Sequence, residues 1–193
     1  MSRSAAVFLD RDGVLNELVA DPRSGAMESP LVPEDVRLLP GAAAAAARLA
    51  EAGFVLVCVS NQPAAAKGLV PLEQLLAVHG RVTELLAEEG VRLAGTRLCL
   101  HHPSASVPEL AGPCRCRKPS PWMLMEAAFS LQIELSSSWM VGDTDADVQA
   151  GRAAGCRTVL IEHTGSKHKR LSGISPDFRA GDLPRAAALL LGS

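Results

Sequence analysis

Residues 8–14 read Phe8-Leu9-Asp10-Arg11-Asp12-Gly13-Val14, and this stretch decides the fold. The apolar run that leads into it, residues 5–9, is short and ends abruptly, which predicts a buried strand rather than a helix. Asp10 and Asp12 therefore lie at the C-terminal end of a strand, where open α/β sheets bind their ligands. Because side chains alternate along an extended chain, we expect the two carboxylates to face the same way and Arg11 to face away.

Strands and helices alternate along the rest of the chain. Short apolar runs predict strands at residues 5–9, 54–59, 96–100, 139–141 and 156–161. Longer stretches, several closed by glycine, predict helices at residues 41–52, 71–89, 121–131, 145–154 and 183–191. This alternation is typical of an α/β protein. We expect a three-layer α/β/α Rossmann-like parallel sheet in a single domain, residues 1–193.

Composition excludes several classes of protein. No apolar run approaches the roughly 18 residues of a membrane span, and the first residues lack a secretory signal, so we expect a cytoplasmic protein. The formal net charge of −2 and an aromatic content of 3% argue against binding to nucleic acid. A monomer is expected. One basic cluster, residues 167–170, is interpreted either as a surface loop or as a phosphate contact.

Two further strands also end in polar side chains. Ser60 and Asn61 follow the second strand and can donate hydrogen bonds to phosphate oxygens. Asp143 follows the fourth strand, just before a helix that opens with Asp145 and Asp147. Acids at a helix start also serve as caps, and for the last two residues a capping role and a functional role both stay open.

The charges at these strand ends predict a divalent metal. Asp10, Asp12 and Asp143 bring three negative charges, and a phosphate monoester adds nearly two more. Only a divalent cation, together with Lys118 from the segment before the third helix, makes such an assembly tolerable. Magnesium fits because it prefers hard oxygen ligands and keeps waters for a substrate. We therefore expect Mg²⁺ held by Asp10, Asp12 and Asp143.

The order of these residues resembles a known superfamily. Asp10-x-Asp12-Gly13, Ser60-Asn61, Lys118 and Gly142-Asp143…Asp147 are similar to the four motifs of the haloacid dehalogenase (HAD) superfamily of phosphatases. The resemblance implies that Asp10 is a nucleophile that forms an aspartyl-phosphate, and that Asp12 protonates the leaving oxygen and later activates water. It also implies that Ser60 and Lys118 hold the transferring phosphoryl group and that Asp143 ligates magnesium.

Three cysteines and a histidine predict a structural zinc site. Cys99 and His101 form one short pair, and Cys114 and Cys116 form a second across a Pro-rich loop. Three thiolates and one imidazole are a standard tetrahedral set for zinc, and four protein ligands leave no open position for catalysis. His102 is the alternative to His101. The zinc is expected to stabilise the loop that precedes the phosphate-binding lysine.

The same cluster narrows the resemblance. Cys99-x-His101-His102 with Cys114-x-Cys116-Arg117-Lys118 resembles the heptose bisphosphate phosphatases and the related histidinol-phosphate phosphatases. In the heptose branch the substrate implied is D-glycero-D-manno-heptose 1,7-bisphosphate, cleaved at its 7-phosphate. The resemblance also implies that Arg117 and Asn61 contact the substrate. No stretch between the motifs is long enough for a separate cap domain, so loops are expected to cover the site.

Two segments depart from the family pattern, and both belong to loops on the substrate side. Residues 27–32 replace a Gly-Tyr-Val element, and residues 63–68 replace a Gly-rich loop that carries an arginine. Lys67 keeps the charge of that arginine but lacks its planar fork. Three alternatives stay open: a histidinol-phosphate phosphatase, a phospho-accepting signalling domain, and a zinc-stabilised interaction module.

Overall fold

The computed structural model of the chain describes residues 3–21, 24–170 and 173–192. Its strands are β1 (Ala6–Leu9), β2 (Val19–Ala20), β3 (Met27–Glu28), β4 (Val55–Asn61), β5 (Gly95–Cys99), β6 (Trp139–Gly142), β7 (Arg157–Ile161) and β8 (Phe178–Ala180). Its helices are α1 (Ala42–Glu51), α2 (Leu72–Glu88), α3 (Trp122–Leu131), α4 (Asp145–Ala154) and α5 (Leu183–Leu191). Short 3₁₀ turns lie between several of these elements, among them Thr164–Lys169 after β7.

Six of the strands form one parallel sheet in the order β5-β4-β1-β6-β7-β8. The first strand is central, and Leu9 at its end pairs with Cys58 of β4 on one side and Val141 of β6 on the other. The C-terminal ends of these three strands are therefore adjacent. The prediction of a parallel α/β sheet is confirmed, and it places the polar residues after β1, β4 and β6 at one edge.

Alternating side chains of the central strand supply two hydrophobic cores. Val7 and Leu9 belong to the core that packs against α1, α2 and α5. Ala6 and Phe8 belong to the core on the opposite face, which packs against α3 and α4. All four side chains are fully buried. A strand covered on both faces reads as a continuous apolar run, which is why residues 5–9 carry no polar alternation.

The sequence prediction missed two small features. Strand β8 is a three-residue edge strand with only Ala180 buried, so it carries no apolar run to mark it. Strands β2 and β3 pair antiparallel beside the sheet within the loop predicted over residues 16–40, of which residues 22–23 lie outside the described part. Across the described ranges, the segments between the motifs contain this small hairpin, short turns and the strands and helices of the main sheet layers, and they form no cap domain. None of the helices described is long and apolar enough to cross a membrane.

Candidate active site

The strand-end residues line one cavity of about 270 Å³ at the edge of the sheet. Asp10 and Asp12 follow β1, Ser60 and Asn61 end β4, and Asp143 follows β6. The other lining residues named below are Glu28, Ser29, Lys67, Arg117, Lys118 and Lys169. The structure therefore brings together the residues that the sequence analysis singled out from four separate segments.

Lys118 is buried between two carboxylates. Its Nζ lies 3.0 Å from Asp10 Oδ1 and 2.6 Å from Asp147 Oδ1, and it donates a hydrogen bond of 2.6 Å to the Val59 carbonyl. Burial would lower the pKa of Lys118, but the Asp10 and Asp147 carboxylates outweigh this effect and raise it above the ordinary value. The lysine is therefore a fixed positive charge beside Asp10.

Asn61 holds the backbone of Lys118 with both ends of its side chain. Its Nδ2 donates to the Lys118 carbonyl, and its Oδ1 accepts from the Lys118 N–H, each at 3.0 Å. Asn61, which was predicted to contact the substrate, thus positions the lysine and also borders the cavity. The paired bonds explain why an asparagine suits the end of β4: its amide carries a donor and an acceptor on two separate atoms, which match the carbonyl and the N–H of one residue.

Asp12 accepts hydrogen bonds from four side chains. Arg11 donates to both carboxylate oxygens through Nη2 at 3.0 Å, and Asn16 donates to Oδ1 at 2.9 Å. Oδ2 also accepts a hydrogen bond of 2.6 Å from Gln62 and one of 2.8 Å from Ser29. Burial alone would raise the pKa of Asp12. The Arg11 guanidinium and the hydrogen bonds outweigh it and hold that pKa below its usual value.

The expectation that Arg11 faces away from the carboxylates was wrong. The Arg11 N–H donates to Asp10 Oδ1 at 2.7 Å, and the Arg11 side chain folds back onto Asp12. Arg11 is fully buried, and a buried guanidinium needs an ionic partner. The Asp12 carboxylate supplies that partner. The alternation of side chains that an extended strand requires therefore ends at residue 10.

Three carboxylates form a group that could hold a metal ion. One oxygen from each of Asp10, Asp143 and Asp147 lies within 4.8 Å of the others. Burial raises the pKa of Asp10 to about 6. Burial, together with the charges of Asp10 and Asp147, raises the pKa of Asp143 well above its usual value. Lys118 balances only part of the negative charge of these oxygen donors. Mg²⁺ would neutralise the remainder, so the residues fit the ion. The Asp12 carboxylate lies outside the group.

Asp147 combines a capping role with a place in the site, so both readings left open by the sequence are present. Its carboxylate accepts hydrogen bonds from the N–H and hydroxyl of Thr144, which closes the N-terminus of α4 as a capping box. The same carboxylate pairs with Lys118. Gly142 permits this approach, because a Cβ there would collide with the Asp147 side chain. The sequence signal was the i, i+4 spacing of Asp143 and Asp147 in the fourth motif.

The turn after β7, with the basic cluster 167–170 at its end, packs against Asp143 and borders the cavity. Ser166 is buried and donates a hydrogen bond to the Asp143 carboxylate. Arg170 donates to the carbonyls of Asp143, Ile161 and His163, and Lys169 pairs with Glu28 at 2.9 Å on the cavity rim. Within the cluster, Arg170 therefore holds backbone and Lys169 pairs beside the cavity, whereas Lys167 and His168 are exposed.

The predicted zinc ligands also lie together. Sγ of Cys99 is 2.9 Å from Sγ of Cys116 and 3.7 Å from Sγ of Cys114, and Nδ1 of His101 is 3.4 Å from Cys116 Sγ. These four residues form a group in which all ligand atoms lie within 4.8 Å, and the thiols are free. The donor set fits a tetrahedral zinc ion. His102 lies outside the group, and its Nδ1 accepts a hydrogen bond from the Ser104 N–H.

Arg117 links this cluster to the active-site cavity. It follows Cys116 directly, borders the cavity beside Lys118, and donates through Nη1 to the His101 carbonyl at 3.2 Å. On the other wall Lys67 is exposed. The cavity rim therefore carries cationic side chains, as a binding site for a phosphorylated molecule requires.

Comparison with known proteins gives consistent matches. Residues 115–186 match a family model described as "HAD-hyrolase-like". The chain is 37% identical to the D-glycero-beta-D-manno-heptose-1,7-bisphosphate 7-phosphatase of Yersinia pestis, over 94% of each protein. It is 35% identical to the enzyme of the same name from Pseudomonas aeruginosa, over 99% of each protein.

Solved structures agree with the sequence matches. D,D-heptose 1,7-bisphosphate phosphatase from B. bronchiseptica, crystallised with magnesium and phosphate, superposes with a TM-score of 0.80 at 30% identity. The alignment covers 97% of this chain and 98% of that one. The identity and coverage are high enough to establish kinship rather than shared fold alone. The chain belongs to the HAD superfamily of phosphatases, in the family of the D-glycero-D-manno-heptose-1,7-bisphosphate 7-phosphatases.

Proposed function

We propose that this protein is a magnesium-dependent phosphatase that hydrolyses the 7-phosphate of D-glycero-D-manno-heptose 1,7-bisphosphate. The observation that carries the proposal is the buried Lys118, 3.0 Å from Asp10 at the bottom of a cavity with a cationic rim. The names of the relatives supply the substrate. The residue roles implied by the resemblance are compatible with the positions of Asp10, Asp12, Ser60 and Lys118.

The proposed reaction has two steps. In the first, an Asp10 oxygen attacks phosphorus, the bond to the sugar oxygen breaks, and that oxygen takes a proton from Asp12. In the second, Asp12 takes a proton from water, whose oxygen attacks phosphorus and releases phosphate and free Asp10. Asp12 must carry a proton at the start. A phosphate dianion bound nearby raises the pKa of Asp12 against the effect of Arg11. Lys118 and Ser60 hold the phosphoryl oxygens throughout.

Asp10 and Asp143 are the proposed side-chain ligands of magnesium, with Asp147 beside them. When bound, the ion neutralises charge on the phosphoryl oxygens and on the attacking carboxylate. Asp12 was also predicted as a ligand. In this proposal its carboxylate serves as acid and base instead, because Arg11, Asn16, Gln62 and Ser29 occupy both of its oxygens.

Magnesium binding is expected to weaken as the pH falls. Protonated carboxylates are poor ligands, and the pKa of Asp10, raised to about 6 by burial, places its protonation in the mildly acidic range. Burial shifts the pKa of Asp143 in the same direction. Calorimetric titration with Mg²⁺ at pH 5.5 and 7.5 measures this. Asp143→Asn is expected to weaken binding at least about tenfold at pH 7.5. Unchanged affinity in that variant would remove Asp143 from the metal site.

Zinc is the proposed occupant of the cysteine–histidine group. We expect Cys114→Ser to lose most of the bound zinc and to lower the melting temperature, because the loop from Cys99 to Cys116 would lose its crosslink. Cys156→Ser is the matched control, since that buried thiol lies outside the group. Metal analysis of the purified proteins decides the assignment. A full zinc equivalent in Cys114→Ser, or its loss in Cys156→Ser, contradicts it.

Phosphate release tests the function. We expect rapid release from heptose 1,7-bisphosphate with Mg²⁺, little with EDTA, and much slower release from histidinol phosphate. A preference for histidinol phosphate would move the chain to that alternative. A stable phospho-Asp10 without turnover would favour a signalling domain, and inertness towards both esters would favour an interaction module. The single-domain organisation of residues 1–193, the monomeric state, the cytoplasmic location and the lack of nucleic-acid binding stay predictions.

A further inference from the structure

Ser29 reaches the catalytic acid from outside the sheet. Arg11, Asn16 and Gln62, the other side chains that donate to Asp12, belong to the segments after β1 and β4. Ser29 instead follows β3 of the small hairpin, and its hydroxyl donates to Asp12 Oδ2 at 2.8 Å. It borders the catalytic cavity. Ser29 lies within residues 27–32, which depart from the family pattern, and the sequence analysis assigned it no role.

The chain on either side of Ser29 is fixed to the body of the protein. Glu28 pairs with Lys169 of the turn after β7 at 2.9 Å. The carbonyl of Leu31 accepts a hydrogen bond of 2.8 Å from Gln74 on α2. Pro30 between them is buried. Because Glu28 and Leu31, on either side of Ser29, contact different elements, tertiary contacts hold the serine hydroxyl at Asp12.

Ser29 differs from the other partners in the direction from which it reaches Asp12. Arg11 and Gln62 donate to Oδ2 from the segments after β1 and β4. The Ser29 hydroxyl donates to the same oxygen from the hairpin side and borders the cavity. A carboxylate bonded from both sides has fewer orientations open to it, so Ser29 restricts the direction in which Asp12 faces the cavity.

We propose that Ser29 is a positioning residue that holds the Asp12 carboxylate in its orientation towards the cavity. The inference rests on the proposed function, in which Asp12 protonates the leaving oxygen. It predicts that Ser29 is needed where that proton is needed. A sugar alkoxide is a poor leaving group and requires the proton, whereas p-nitrophenolate departs without it.

The test compares kcat/KM for heptose 1,7-bisphosphate and for p-nitrophenyl phosphate with Mg²⁺ present. This quantity covers the steps up to release of the leaving group. Ser29→Ala is expected to lower it about tenfold for the sugar ester and less than about twofold for the aryl ester. Ser29→Thr, which keeps the hydroxyl, is expected to restore most of the sugar activity. Ser24→Ala, an exposed serine of the same hairpin, is expected to match the unaltered protein.

Asp12→Asn separates failure of this inference from failure of the proposed function. Asp12→Asn is expected to lower kcat/KM far more for the sugar ester than for the aryl ester. If it is, but Ser29→Ala changes both esters equally or neither, the role of Ser29 is overturned alone. If Asp12→Asn shows no such difference, or the unaltered protein does not cleave the sugar ester, the proposed function fails and the inference fails with it.

Discussion

Asp10→Asn is expected to reduce turnover of heptose 1,7-bisphosphate by more than about a thousandfold. An amide keeps the volume of the carboxylate but is too weak a nucleophile to form the acyl phosphate. Steady-state rates with saturating Mg²⁺ measure the loss. Asp10→Ala belongs in the same experiment, because asparagine can deamidate back to aspartate and restore trace activity. Residual turnover above roughly a thousandth in both variants would exclude covalent catalysis at Asp10.

The same substitution is expected not to weaken the fold. The pKa of Asp10 is raised to about 6 in the folded protein, above the ordinary 3.8, because the group is buried. The folded state therefore binds a proton more tightly than the unfolded state, and the ionised carboxylate costs stability at neutral pH. Metal-free Asp10→Asn should melt at the same temperature as the unaltered protein or a few degrees higher. The exposed Asp35→Asn controls for surface charge and should keep full turnover.

Lys118→Met is expected to lower the free energy of unfolding by about 3–5 kcal/mol at pH 7.5, in addition to abolishing most activity. The substitution fills a similar volume but leaves the Asp10 and Asp147 carboxylates buried without their cation. Urea unfolding of the metal-free proteins measures the change. Lys169→Met is the matched control. In its ion pair the Lys169 side chain is 35% exposed and the Glu28 side chain 43%, so removal of the lysine should cost less than about 1 kcal/mol.

The cost of Lys118→Met should shrink as the pH falls. Without the lysine, the pKa of Asp10 rises further, so protonation in the folded state begins at a higher pH. Stability contributed by such a raised carboxyl pKa is present at low pH and is lost as the pH rises through it. The difference between variant and unaltered protein should therefore be smaller at pH 5.5 than at 7.5. An equal deficit at both would show that lost packing, rather than unpaired charge, causes the destabilisation.

Much of the fold could be predicted because burial leaves a plain mark on the sequence. Strands covered on both faces are continuous apolar runs, so β1, β4 and β6 were found with small errors at their ends. Strand β8 was missed because an exposed edge strand of three residues needs no such run. The hairpin of β2 and β3 was missed for a related reason, since two-residue strands are defined by their pairing and not by their composition.

The active-site residues likewise divide into those that the sequence predicts and those that it does not. Asp10 and Asp143 could be placed because strand ends meet at one edge of a parallel sheet. Lys118 lies far from any strand end, and it could be placed because it matches the lysine motif of the family. The contacts of Arg11, Ser29 and Ser166 depend on how loops fold back over that edge, and local sequence does not encode those distances. Asn61 was predicted to contact the substrate and borders the cavity. Its paired bonds to the backbone of Lys118 could not be predicted, because they join residues far apart in the sequence.

Trapping the phosphoryl group on the protein tests the central claim most directly. The protein is mixed with heptose 1,7-bisphosphate and Mg²⁺, quenched in acid within one turnover and reduced with borohydride, which converts an aspartyl phosphate to homoserine. We expect peptide mass spectrometry to find homoserine at position 10 and nowhere else, and none in Asp10→Asn. Phosphate release with no modification of Asp10 at any quench time, or with homoserine at another aspartate, would contradict the account.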